Sequence, residues 1–261
     1  MDAIFLYPAA AAQLVMERRM EAISNNIANA DTTGFRRDIP VFGTKRPMLS
    51  KAYSIGGAED PTGGKSILPI PYYPVVDEIV TDFSQGMLHH TDNPLDLAID
   101  GKGFFQIQTN NGVKYTRNGS FRLSAEGQIV TQSGQPLMGE GGPITVPPGD
   151  IEVDNEGILS VKGLEGGPPI QIDTLTLVAV EDLSKMRKIG DNLFELVDGT
   201  PTILPQASVH QGSLERSNVD PVIEMVAMIS AMRHYESVQK AIQGADDIAL
   251  RNVNQIGQLK A

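Results

Sequence analysis

The chain has 261 residues, a formal net charge of -11, and neither cysteine nor tryptophan. That length suffices for one large or two modest domains with a core that needs no staples. The missing cysteines exclude a disulfide scaffold, a thiolate nucleophile and a zinc-thiolate site, and the acidic balance argues against a general nucleic-acid or anionic-membrane partner.

Glycine and proline are unevenly spread. Residues 1–45 hold four of them and residues 213–261 hold three, out of 26 glycines and 17 prolines. Both residues break helix interiors, so the ends read as helical and the middle as turn-rich. Nearly all the excess negative charge lies in that middle, which is expected to face solvent.

The first element is a helix over about Pro8 to Asn29. Its apolar positions Met16, Met20, Ile23 and Ile27 step by four, three and four, a coiled-coil-like period. The pattern stops at the turn formers Asn29 to Gly34. The apolar run Ala3 to Ala12 falls short of the ~18 residues of a membrane span. It also lacks the basic start of a signal peptide, so it reads as the start of a helix.

Residues 43–74 carry Gly56-Gly57, Gly63-Gly64 and five prolines without periodicity, the mark of a loop or extended arm. Within it, Thr62-Gly63-Gly64-Lys65-Ser66 suggests a phosphate loop, but Glu59 stands where the motif needs glycine, and no strand feeds it.

From about Val75 the chain reads as short strands with a turn signal about every eight residues. Leu95 to Ile99 alternates before Asp100-Gly101, and Phe104 to Gln108 leads to the hairpin signal Asn110-Asn111-Gly112. Further turns fall at Asn118-Gly119, Glu126-Gly127, Ser133-Gly134 and Asn155-Glu156-Gly157, with a longer strand expected over Gln171 to Val180. No βαβ crossover helix intervenes, so the middle is an antiparallel β domain. Asn118-Gly119-Ser120 fits a glycosylation sequon, though a tight turn explains it as well.

The last element is a long helix. Asp220 is placed to cap it, Pro221 fits its first position, and Glu224 suits its dipole. Its apolar positions Met225, Ile229, Met232, Tyr235, Val238 and Ile242 step by three or four. At ~1.5 Å per residue it is roughly 55 Å long, and the first helix reaches only ~33 Å. The uncovered remainder of the stripe is a driving force for association, unless both helices simply pack on the middle domain.

No catalytic constellation emerges. His89 and His90 are adjacent and would point to opposite faces of a strand, so with Asp92 they make a poor metal set. No metal site or cofactor is expected. A carboxylate pair acting on polysaccharide remains an alternative that no residue pair singles out.

Three separated blocks resemble one family. Ile23-Ser24-Asn25-Asn26-Ile27-Ala28-Asn29 followed by Thr33-Gly34-Phe35-Arg36-Arg37 is similar to the N-terminal signature of bacterial flagellar rod and hook proteins. Asn93 to Phe105 and Tyr115 to Phe121 resemble the start of their β domain. Gln211 to Val219 and Arg233-His234-Tyr235-Glu236 resemble their C-terminal signature. Details such as Thr81 to Gly86 and Gly141 to Pro147 lean toward proximal-rod members, with a distal-rod or hook-type protein as the alternative.

The resemblance implies an α+β fold in which a discontinuous terminal-helix coiled-coil domain, residues 1–42 and 213–261, carries an inserted antiparallel β domain over 81–212. Residues 43–80 would be the linking arm. It implies a non-enzymatic axial protein of the basal body, crossing the periplasm and assembling helically with copies of itself and other rod proteins. It would be exported by the flagellar type III apparatus, with no nucleic-acid partner and no integral membrane segment. The expected assembly interface is Met16, Met20, Ile23, Asn26, Ile27, Asn29, Phe35, Met225, Ile229, Met232, Tyr235, Val238 and Ile242. For Phe35, anchoring of the turn after the first helix and ordinary core packing are both open.

Overall fold

A computed structural model describes residues 3–45, 73–163, 167–203 and 208–258. Most of the expected arm, with its Thr62 to Ser66 motif, lies outside the described residues. The chain forms two terminal helices and many short, mostly antiparallel strands, an α+β fold. It divides into two compact units. One comprises residues up to 27, 38–80 and from 221 onward; the other comprises 28–37 and 81–220.

In the first unit, helix α1 spans Ala3–Ala28 and helix α2 spans Pro221–Gln258. Helix α1 starts five residues before the expected Pro8, so that proline sits inside it and removes one helical hydrogen bond. The two helices meet where Gln13 Nε2 donates to the Tyr235 hydroxyl at 2.7 Å, and that hydroxyl donates to Glu17 at 3.4 Å. The ends of the expected arm are strands: Asp38–Lys45 pairs with Tyr73–Thr81 as a ribbon. Asn26 ties this ribbon to α1. Its side chain donates to the Asp38 carbonyl and accepts from the Asp38 N–H, both at 2.9 Å. No described helix is long and apolar enough to cross a membrane.

The second unit is built on a six-stranded sheet. Its order is Met186–Gly190, Leu193–Leu196, Gly112–Thr116, Phe104–Thr109, Leu177–Ala179, Thr202–Ile203. Adjacent residues Phe104 and Phe105 point to opposite faces of it. Phe105 enters a large core with Leu97, Ile99, Ile107, Leu137 and Leu159, and meets Phe121 edge-to-face at 5.3 Å. Phe104 enters a second cluster with Tyr115, Val178, Met186 and Phe194. There Phe83, Phe104 and Phe194 form a triangle of rings with centroids 5.9, 5.3 and 5.8 Å apart. Both faces of this sheet are therefore covered. Leu97–Asp100 pairs separately with Ser208–Gln211, and there Leu97, Ala98 and Ile99 are all buried, unlike the alternation the sequence suggests.

The hairpin at Asn110-Asn111 forms, with Thr109 opposite Gly112. The turn at Asn155 to Gly157 joins Asp150–Val153 to Ile158–Lys162. The single strand expected over Gln171 to Val180 is instead broken. Ile170–Thr174 belongs to a three-stranded sheet, and Leu177–Ala179 pairs with Phe104–Thr109. The chain changes sheets at Leu175, whose N–H is taken by the Gly157 carbonyl at 2.8 Å. At Asn118 the side-chain oxygen accepts from the Ser120 N–H at 3.0 Å, so the sequon is a closed turn.

Phe194 stands at the centre of the second cluster and is 1% exposed. Phe194→Ala is expected to cost about 3–5 kcal/mol, from lost burial plus the cavity left behind. The shift in urea midpoint of the full chain measures it.

Candidate assembly surface and its anchor

The expected interface residues fall into three groups. On α1 the covered stripe is Val15, Ala22, Ile23 and Asn26, with Met16, Met20 and Ile27 only half-buried. The covered stripe thus includes Ile23 as expected, but elsewhere runs one residue over from the expected one: 15 and 26 against 16 and 27. One residue is about 100° of helix, so the large apolar side chains sit along the flank of the contact.

On α2 the same offset appears. Glu224 and Ala231 are buried, while Met225, Ile229 and Met232 are about half exposed. Tyr235, Val238 and Ile242 lie on the covered side and are half-buried. The reason is arithmetic. From Ile229 to Val238 the expected stripe takes three consecutive steps of three, nine residues or ~2.5 turns, which ends on the opposite side of the helix. The apparent single stripe is two faces. One is covered by the chain itself. The other, Val222, Met225, Val226, Ile229 and Met232, is exposed, with Val226 at 63% and Ile229 at 52%.

The third group sits in the β unit. Residues 28–37 cross it as a strap, and Asn29 and Phe35 belong to this strap. The Asn29 carbonyl and side chain both bond Thr32, at 3.1 and 3.2 Å. Phe35 is buried under Lys188, whose ammonium lies 4.0 Å from the ring centroid. That ammonium also donates to the Arg36 carbonyl. Phe35 is thus internal, as is Asn26. Gly34 permits the bend: its φ is +68°, and a Cβ there would lie 2.4 Å from the Asn118 nitrogen.

Arg36 and Glu215 were not singled out as site residues, yet they hold the strap. Both side chains are 1% exposed, and Arg36 Nη2 donates to Glu215 Oε1 at 2.6 Å. Arg117 Nη1 donates to the other oxygen at 3.2 Å, and the Gly86 N–H donates at 2.8 Å. Arg117 further donates to the Ile99 and Gly101 carbonyls and lies 5.4 Å from the Phe104 ring centroid. Burial pulls the Arg117 pKa down to about 10, with the Arg36 charge adding to that and Glu215 opposing it. Two guanidinium groups thus share one carboxylate, and among the described residues Arg36 Nε and Nη1 meet no hydrogen-bond partner.

A second knot closes the strap. Arg37 donates its N–H to Asn218 Oδ1 at 2.7 Å and its guanidinium to Asp82 at 3.0 Å. The Asn218 amide donates to the Asp82 and Ser84 carbonyls, and Arg216 pairs with Asp31 at 3.2 Å. The four stretches by which the chain enters and leaves this unit are therefore tied to one another. Burial pushes the Asp82 carboxyl up, but bonds from the Ser84 N–H and hydroxyl, with Arg37 opposite, leave it below its ordinary 3.8. Elsewhere on the surface His90 pairs with Asp92 at 2.7 Å. Among the described residues no three His, Asp or Glu side chains cluster to hold a metal ion.

Glu215→Gln is expected to cost about 3–5 kcal/mol, because it strands two buried cations. Arg36→Met is expected to cost less, since it leaves one cation on one carboxylate. Chemical denaturation of both variants gives the order. Asp82 contributes stability above its ordinary 3.8 and loses it as pH falls through the depressed value. Asp82→Asn is therefore expected to flatten the acid limb of a melting-temperature profile.

Three family models match in chain order. Residues 7–36 match the flagella basal body rod protein model, 98–161 the flagellar hook protein FlgE/F/G D1 domain, and 210–256 the flagellar basal body rod FlgEFG protein C-terminal model. The flagellar basal-body rod protein FlgF of Caulobacter vibrioides is 36% identical over 97% of this chain and 98% of its own. FlgG of Buchnera aphidicola is 36% identical over 91% of this chain and 93% of its own, and FlgF of Salmonella typhimurium 32% over 94% of each. With ordered matches at both ends and in the β unit, and identity spread over nearly the full length, the chain belongs to the flagellar basal-body rod protein family.

Proposed function

We propose that this chain is a structural, non-catalytic subunit of the proximal part of the flagellar rod, in which the uncovered faces of α1 and α2 pair with neighbouring copies and with other rod proteins. The observation that carries this is the exposed apolar face Val222, Met225, Val226, Ile229 and Met232, which lies beside a covered face on the same helix. A helix used only within its own chain has no reason to carry two apolar faces. Helical, coiled-coil-like packing against successive copies buries the second face, and such head-to-tail contact continues indefinitely rather than closing. Export by the flagellar type III apparatus and a position crossing the periplasm complete the reading. Proximal placement is favoured by the match to FlgF over nearly the whole of both chains.

Met232→Asp is expected to leave the unfolding free energy of the purified monomer, read from urea denaturation, within about 0.5 kcal/mol of the parent, because the side chain is half exposed. It is expected to abolish motility and rod assembly, because assembly would bury an unpaired carboxylate. A fully motile strain carrying it would refute the interface. Ala231→Asp, on the covered face, is expected to destabilise the monomer itself. Gold-labelled antibody on purified basal bodies distinguishes a proximal from a distal position.

A further inference from the structure

We propose that Asn111 is a site of spontaneous deamidation in the folded protein, and that the fold protects Asn118, which has the same neighbour. Asn-Gly is the pair most open to this chemistry, because glycine puts no side chain beside the attacking nitrogen. The sequence contains two such pairs, Asn111-Gly112 and Asn118-Gly119.

Both glycine carbonyls are hydrogen-bonded, that of Gly112 accepting from Thr109 Oγ1 at 2.7 Å, but the two sites differ in exposure, in room beside the glycine and in the bonding of the asparagine side chain. Asn111 and Gly112 are both exposed at a hairpin tip, and a Cβ built on Gly112 meets nothing within 4 Å. Among the described residues the bond made by Asn111 is from its backbone N–H to Thr109 Oγ1, at 3.2 Å, and its side-chain amide is left to solvent. The amide is free to turn onto the next nitrogen. Asn118 is half-buried, and its side-chain oxygen is held by the Ser120 N–H at 3.0 Å. Gly119 is buried; a Cβ there would fall 1.6 Å from the Leu97 carbonyl oxygen. Its own carbonyl accepts from the Leu97 N–H at 3.0 Å. Neither residue has room to rotate.

The step balances with water alone. The Gly112 nitrogen loses its proton to hydroxide and attacks Cγ of Asn111. A new C–N bond closes a cyclic imide, and the side-chain nitrogen leaves as ammonia. Water then opens the ring at either carbonyl, giving aspartate or isoaspartate. One water is consumed, one ammonium ion is released, and no electrons are exchanged. The product places a new carboxylate at the tip of the hairpin joining the two central strands Phe104–Thr109 and Gly112–Thr116.

The test uses the full-length wild-type protein, incubated at mildly alkaline pH folded and, in parallel, in concentrated denaturant. Trypsin separates the two sites, into residues 103–114 and 118–122. Mass spectrometry and isoaspartyl methyltransferase labelling read each peptide. The folded protein is expected to convert at Asn111 and stay unmodified at Asn118, and the denatured chain to convert at both. Equal conversion of the two sites in the folded protein overturns the proposal. So does silence at Asn111 while the denatured chain reacts there. Asn111→Ser is expected to remove the folded-state signal, and a signal that persists also overturns the assignment.

Discussion

The carboxylate of Glu215 accepts from Arg36, Arg117 and the Gly86 N–H, three donors that come from widely separated stretches of chain. A buried carboxylate without such partners would carry a desolvation penalty of several kcal/mol. The three donors are therefore not interchangeable decorations of the core. They are the condition under which this residue can be inside at all. The Gly34 bend, the burial of Phe35 and the Asn218 bonds all follow from bringing Arg36 to that position. The surplus positive charge is offset by cation–π and carbonyl contacts and by the carboxylate of Asp100, which adds to the favourable field at Arg117.

The helices follow a different logic. Where they are covered by their own chain, small or polar residues such as Ala22, Asn26 and Ala231 occupy the contact. Val15 and Ile23 are buried beside them, and the bulkier Met16, Met20, Ile27, Met225, Ile229 and Met232 side chains lie more exposed. This separates two tasks on one element. Holding the subunit's own helices together uses small buried side chains and hydrogen bonds, such as Gln13 to Tyr235. The bulky apolar surface of Val222, Met225, Val226, Ile229 and Met232 stays exposed in the single chain.

Much of this was legible in the sequence, and the failures have physical causes. Glycine placement located the turns at Asn110 to Gly112 and Asn155 to Gly157, because positive φ leaves few alternatives. Helix limits were legible from Pro221 and from the cluster after Ala28. The facing of the helices was not: a three-or-four rule tolerates runs of threes that drift half a turn, as between Ile229 and Val238. Size was also a poor guide, since Ala231 carried less signal than Met232 although it is the buried one. Arg36 and Glu215 were invisible as a pair because nothing local links residues 179 positions apart. The break at Leu175 escaped for the opposite reason, since an apolar run reads the same whether or not it changes sheets.

The separation of 179 residues between Arg36 and Glu215 sets an order of events. Wherever the chain is released from its N-terminal end, the strap emerges early and its anchor emerges late. During that interval Arg36 and Phe35 have no site to enter, because Lys188, Asn192 and Glu215 are still to come. Closing so long a loop is slow relative to forming local hairpins. The junction between helix α1 and the β unit is therefore the last part of that unit to set. Residues 28–37, most of which fall within the N-terminal family match at 7–36, have their buried ionic anchor only once Glu215 has followed.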